Sequence, residues 1–407
     1  MTLHTRQSDS GTLVTRAVCA VCFLAFTFLW LYFFQCDLLA VGQHVLSGGV
    51  THYDRLIGAT IITVTLFLLQ TGVKGVTRLS RSTYALTYVP SFLVLTFLSD
   101  ISVVELAVED DSLGSSSRCV DNVVAVGHLW WLLAVVLVLW LAAVWMARQM
   151  LSFSDGDKQP AGILSATTGM NVAQMCLMML FVASVGNSDA VTHFRAHAET
   201  SLMRGDNREA MRVGWESLET DRQLTMLRAF ALSREGLLGD RLFCYPIAGS
   251  GEDLLPMHRK PLLLPADSIW RHLGAKPLFP MPAATYYHLL EYDSLATPAV
   301  ADYVLCGKLI DRDLKSFAKA LDRYYGATVA DAKDMKPATQ LPRHYREALV
   351  LCRHLYPKAR YAFSDPHIEQ EWQQMEQLRT HYADDSERRM QMLENFRETY
   401  WYYYYAK

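Results

Sequence analysis

At 407 residues, with 38 Lys+Arg against 41 Asp+Glu and a formal charge of −3, the chain has room for two or three domains. It carries no basic surplus of the kind that nucleic-acid binding requires. The 51% hydrophobic and 19% charged fractions look ordinary, but they average two unlike halves: nine of the Lys+Arg and eleven of the Asp+Glu precede Asp189, and 29 and 30 follow.

Five blocks free of Asp, Glu, Lys and Arg occupy 17–36, 56–73, 83–99, 122–147 and 161–188, and nothing comparable follows. A hydrocarbon core about 30 Å thick needs roughly 20 apolar residues, and a helix bonds its own backbone there. The blocks therefore predict five transmembrane helices in a domain covering 1–188. The first is expected to be a retained anchor. Its apolar run of about 20 residues exceeds the 7–15 of a signal-peptide core, and no A-x-A-like site follows Cys36. Arg16, three residues before Cys19, argues against lipoprotein processing.

The connection after the first block holds Asp37, His44, His52, Asp54 and Arg55. Enzymes that move sugars from lipid carriers place an acid in such a loop, so Asp37 or Asp54 with His44 and His52 is a candidate catalytic group. The plainer reading is a re-entrant or interfacial loop closed by Asp54 and Arg55. Pro90 is expected to kink the third span. His128 is the sole ionisable residue of these types inside the blocks and reads as interfacial, next to Trp130 and Trp131. That scarcity weighs against a transporter.

Lys and Arg set the orientation. Arg6 and Arg16 precede the first span, Lys74, Arg78 and Arg81 lie in the second connection, and Arg148 and Lys158 lie in the fourth. The other two connections hold only Arg55, and Arg118 amid Glu105, Glu109, Asp110, Asp111 and Asp121. Five spans put the N-terminus in the cytoplasm and the domain after Asp189 outside it, in the periplasm of a cell with two membranes.

From Asp189 the apolar spacing becomes three and four, the period of amphipathic helices. Phe194, Ala198 and Leu202 mark one helix, Ala210 and Val213 a second, and Leu224, Leu227 and Ala231 a third. Ala198 and Gly205 recur as Ala229 and Gly236, 31 residues on, in the manner of tetratricopeptide hairpins, whose usual period is 34. Similar stripes return after Pro298, through Phe317, Leu349 and Trp372 to Tyr400. Between them, 244–297 holds seven of the 14 prolines together with Leu262-Leu263-Leu264 and Trp270, and is expected to pack over the array as an ordered insertion. The fold expected is thus all-α: a five-span bundle, then a soluble tetratricopeptide-like α-solenoid over 189–407.

No metal or cofactor site is expected. His193 and His197 are four apart with Glu199 nearby, but no third ligand follows at a recognisable spacing. Cys244, Cys306 and Cys352 form no C-x-x-C pair and read as buried thiols, with Cys119 alone in the acidic loop. The tail Tyr400-Trp401-Tyr402-Tyr403-Tyr404-Tyr405 either caps the last helix or docks on the bilayer.

Four motifs carry a resemblance: Gln43-His44-Val45-Leu46-Ser47-Gly48-Gly49; Leu227-Arg228-Ala229-Phe230-Ala231-Leu232 leading to Leu242-Phe243-Cys244-Tyr245-Pro246; Leu341-Pro342-Arg343-His344-Tyr345-Arg346-Glu347-Ala348-Leu349; and the aromatic tail. Together they resemble a family of multi-pass envelope proteins from Bacteroidetes-type bacteria to which no activity is assigned. The resemblance implies a cell-envelope location and a tetratricopeptide-like soluble part, and carries over no catalytic residue; with the five spans, the location expected is the bacterial inner membrane. Two functions are therefore expected to compete. One is a membrane anchor presenting a helical surface to an envelope protein or peptide. The other is an envelope glycan or lipid enzyme using Asp37, His44, His52 or Asp54.

Overall fold

Runs of Leu, Val, Ala and Phe without a breaker bond their backbone as helix, and most of the described part of the charge-free blocks does so. The computed structural model describes residues 2–79, 81–110, 117–127, 129–151, 165–257, 259–326, 341–357, 365–382 and 384–406. His128 lies outside the described residues, as does the side chain of Cys119. The described chain is mostly helical and falls into two compact units: Met1–Val104 with Val123–His193, and Glu105–Asn122 with Phe194–Lys407.

In the first unit, α1 (Thr2–Leu29) runs into a π-helical stretch, Trp30–Phe34, followed by α2 (Cys36–Leu46), α3 (Arg55–Thr77), a 3-10 stretch Arg81–Tyr88 and α4 (Val89–Ser99). Strands β1 (Ile101–Asp110) and β2 (Ser117–Val126) form a two-stranded sheet, of which Glu105–Asn122 counts with the second unit, and α5 (Trp130–Leu151) and α6 (Ala166–Val185) complete the first. Among the described residues, five segments are long and apolar enough to cross a membrane: Leu13–Phe34, Arg55–Thr77, Ser82–Ser99, Trp130–Gln149 and Ala166–Val185.

Two expectations need correction. The fold is not all-α, because the start of the fourth block belongs to β2: Val120, Val123, Val124 and Val126 are β-branched residues suited to a pleated strand, and a search for missing charge cannot see that preference. Pro90, too, stands not inside a continuous α-helix but where the 3-10 stretch passes into α4. It sits in the first turn of α4, where its missing N–H costs nothing.

The irregular backbone before α4 is served by side chains from other helices. Asn171 Oδ1 accepts from Ala85 N at 2.7 Å, Gln174 Nε2 donates to Ser82 O at 3.3 Å, and Trp140 Nε1 donates to Leu86 O at 2.8 Å. Polar pairs also join helices: Thr15 to Thr168 at 2.9 Å, Ser91 Oγ to Leu66 O at 2.8 Å, and Gln70 Nε2 to Thr87 Oγ1 at 2.9 Å.

The second unit contains α7 (Ala190–Met203, which runs across the division), α8 (Asn207–Arg212), α9 (Arg222–Arg234) and α10 (Leu238–Arg241). After the Pro-rich stretch, which contributes α11 (Ala266–Leu273) and α12 (Ala283–Tyr292), come α13 (Ala299–Ile310), α14 (Leu314–Tyr325), α15 (Arg343–Leu355), α16 (Pro366–His381), α17 (Asp385–Phe396) and α18 (Tyr400–Tyr405). Their apolar stripes meet in one core containing Leu227, Phe243, Tyr303, Phe317 and Trp401. Gly205 and Gly236 end α7 and α9 with positive φ of 78° and 68°, which frees the chain to reverse. The helices that follow have only six and four residues.

Glu199 pins the Pro-rich stretch. Fully buried, it accepts hydrogen bonds from three successive backbone amides, Leu262, Leu263 and Leu264, and from Gln223 Nε2. Prolines leave such a segment short of internal hydrogen bonds, and an acceptor-only carboxylate suits three converging N–H donors.

Candidate functional site: a cleft beside a buried Cys–His–Glu network

The two motifs around Cys244 and His344, a hundred residues apart, meet in space. Cys244 ends a 3-10 turn, Leu242–Cys244, after α10, where Pro246 keeps the chain extended. α10 lies close to α15 because Gly239 has no side chain; a Cβ there would sit 2.7 Å from the Tyr345 ring. Asp240 Oδ1 accepts from Arg343 N at 2.7 Å, satisfying one of the orphan donors at the start of α15.

On α15, His344 and Glu347 are one turn apart and share a face. His344 Nδ1 lies 3.0 Å from Glu347 Oε2. A carboxylate can only accept, so Nδ1 carries the hydrogen, and Nε2 is left as an acceptor in the neutral ring. Cys244 Sγ lies 3.8 Å from that Nε2 and 3.7 Å from Glu398 O. Both His344 and Glu347 are fully buried, while Cys244 lines a cleft.

Glu347 is held on every side. Arg343 Nε donates to it at 2.8 Å and Tyr400 N at 2.7 Å, and its backbone carbonyl accepts from Trp401 Nε1 at 2.9 Å. Burial alone would raise its carboxyl, but His344, Arg343 and the Tyr400 amide outweigh burial and hold it below the usual range. The Cys244 thiol goes the other way. Burial first, then the charges of Glu398 and Glu347, push it up to about 12.

The cleft measures about 310 Å³ and is lined by Trp215, Asp240, Arg241, Cys244, Arg343 and Glu398. It thus joins one indole, two guanidinium groups, two carboxylates and a thiol. The Trp215 ring stands edge-on to Tyr245 at 4.8 Å, and its carbonyl accepts from Arg397 at 2.9 Å.

The residues expected from sequence are used differently. Asp37 and His44 lie at opposite ends of α2, separated by about 10 Å of helical rise. Asp54 caps α3, accepting from Ile57 N at 2.8 Å, and His52 lies in the irregular stretch before it. His193 Nε2 lies 2.9 Å from Asn187 O, and His197 Nε2 3.4 Å from Glu209 Oε1, while Glu199 serves the Pro-rich stretch. Among the described residues no group of three His, Cys, Asp or Glu is placed to hold a metal ion. The aromatic tail is not left on the surface: Tyr400 and Trp401 are fully buried, and the Tyr400 and Tyr403 hydroxyls donate to Leu309 O and Ile310 O.

Nothing local in the sequence ties Cys244, which reads as a buried thiol, to His344 and Glu347. The usable signal was His-x-x-Glu at one-turn spacing just after a helix-starting Pro342; its cysteine partner was too distant in sequence to be paired with it. Residues 286–407 match the model of a family of unknown function, DUF6057, a span that contains Arg343, His344, Glu347 and Glu398. No curated protein and no solved structure matches the chain.

Proposed function

We propose that this is a five-span protein of a bacterial cytoplasmic membrane whose C-terminal unit, a tetratricopeptide-like helical array, binds a peptide or protein segment outside the cytoplasm. The observation that carries the binding reading is the composition of the cleft. Trp and Arg dominate the energetics of protein recognition sites, and charges of both signs beside an indole suit a polar peptide. The membrane reading draws support from the five apolar helices and from Lys and Arg gathered in alternate connections.

A displayed peptide library selected against the full chain in detergent micelles tests the binding. Enriched peptides should lose at least about tenfold in affinity on Trp215→Ala or Arg241→Glu, in line with hot-spot losses above 1 kcal/mol. No enrichment, or enrichment indifferent to both substitutions, overturns the reading. Alkaline phosphatase fused after Lys407 should be active in cells; an inactive fusion reverses the orientation.

A further inference from the structure

We propose that Cys244, His344 and Glu347 act as nucleophile, general base and positioning group in transferring the acyl group of a carboxylic ester or amide bound in the cleft. This deepens the peptide-binding reading by naming the bond that reacts.

The geometry carries the inference. Nucleophilic catalysis needs a nucleophile within reach of a base, and the base oriented by a third group. Here the thiol faces Nε2 and the carboxylate faces Nδ1, so each ring nitrogen has the partner its role demands. Arg343 and the Tyr400 amide immobilise Glu347, which fixes the tautomer of His344. Cys244, itself only 9% exposed, is the one residue of the three that lines the cleft, beside Arg241 and Arg343, whose guanidinium groups could meet the negative charge that develops on an attacked carbonyl oxygen.

The charges facing Cys244 are Glu398, Glu347, Arg343 and Arg241. With the resting thiol pushed up to about 12, a standing thiolate is scarce, so the proton must leave as the bond forms, as it does from a serine hydroxyl. In the first step the sulfur bonds to the acyl carbon as the C–O or C–N bond breaks. The thiol proton passes to His344 Nε2 and from there to the departing alkoxide or amine. In the second step water adds its oxygen to the acyl carbon and the S–C bond breaks. One water proton travels through His344 to restore the thiol, and the acid is released. Neither step needs an oxidant or reductant.

The test uses the full chain in detergent with p-nitrophenyl acetate, a small ester that requires no peptide recognition. One equivalent of nitrophenolate should appear in a burst, with the acetyl group mapped to Cys244 by mass spectrometry, and Cys244→Ala should abolish it. His344→Gln should slow acetylation by about 10²-fold or more. Glu347→Gln should slow it less and displace its pH profile, as a positioning residue does.

Should the His344 variant fail to fold, the pH profile of the unaltered chain decides. Base-assisted attack reaches a plateau well below pH 12, whereas an unassisted thiol gains rate with every unit of pH up to its own range. Absence of acetylation at Cys244, or a rate climbing through the alkaline range, overturns the proposal. Peptide binding that persists in that case leaves the binding reading standing.

Discussion

The two units solve one problem with opposite chemistry. In the first, large apolar side chains face outward: Ile61, Leu68, Leu139 and Trp145 are each about 60% exposed or more, while Gln70, Ser91, Thr168 and Asn171 are buried. In the second, Leu, Phe, Tyr and Trp fill the core and charges cover the surface. Both contain backbone that regular helix cannot satisfy, and both assign a buried side chain to it. The first unit uses a neutral amide, Asn171, on Ala85 N; the second uses an acid, Glu199, on three amides. Under the membrane reading the contrast is physical. A hydrocarbon surround rewards apolar exteriors and penalises any charge, whereas water lets a protein hold a carboxylate wherever enough donors converge.

The sharpest way to break this comparison is at Glu199. Replacing it with Ala leaves three amides and Gln223 without their acceptor in a buried place, at a cost of about 3–5 kcal/mol. Thermal unfolding of the second unit should show a large drop and proteolysis should cut the Pro-rich stretch first; a variant that melts within about 1 kcal/mol of the parent removes Glu199 as the anchor. Next in size is a test of the outer faces. Leu139→Arg should cost about 2.5–3.5 kcal/mol of membrane insertion, measured by the fraction resisting carbonate extraction. Met390→Arg, at a comparably exposed site on α17, should change unfolding of the second unit by under about 0.5 kcal/mol. Equal tolerance at both positions contradicts the membrane assignment.

How much of this contrast could be read from the chain depends on the range of the interaction. The helices of the first unit were legible because apolarity over the length of a span is a property of local composition, and Leu, Val and Ala over about 20 residues declare it. The hairpin was not legible to that criterion: Val123 and Val124 are as uncharged as any span, and their preference for a strand depends on pairing with β1. The amphipathic stripes of α14 and α15 were visible for the same local reason. The cleft was not, since it requires Cys244 and His344, separated by a hundred residues, to be brought together by the fit of Gly239 against Tyr345. The aromatic tail shows the remaining gap. Its rings suit a bilayer surface or a protein core equally well, and what decides is Glu347 on another helix, whose carboxylate and carbonyl take Tyr400 N and Trp401 Nε1.

A smaller effect probes the neutral half of the comparison. Asn171→Leu fills its space but strands Ala85 N, at about 1–3 kcal/mol. The expected result is a lower melting temperature of the first unit in detergent, with local hydrogen exchange raised around residues 82–88. An unchanged exchange pattern there means the 3-10 stretch holds itself.

The finest test sets two buried glutamates of the second unit against each other by pH. Glu347 is held below the usual carboxyl range, because His344, the hydrogen bond from Arg343 and the Tyr400 amide together overcome the effect of burial. Its stabilising contribution is therefore complete above the unfolded value near 4.5 and is lost as pH falls through the lower folded value. Glu199 is pushed upward: burial outweighs the amides of Leu263, Leu264 and Leu262 and the charge of Arg195. Its contribution is complete below about 4.5 and is lost as pH rises towards the higher folded value. The differences between the parent and Glu347→Gln, and between the parent and Glu199→Gln, followed by unfolding midpoint from pH 3 to pH 7, should thus slope in opposite directions. The first should shrink on acidification, and the second should shrink on the way to neutrality. Parallel slopes would mean that the amides converging on Glu199 match the His344 and Arg343 partners of Glu347 in keeping a buried carboxylate ionised, and the contrast between the two networks would then carry no energetic weight.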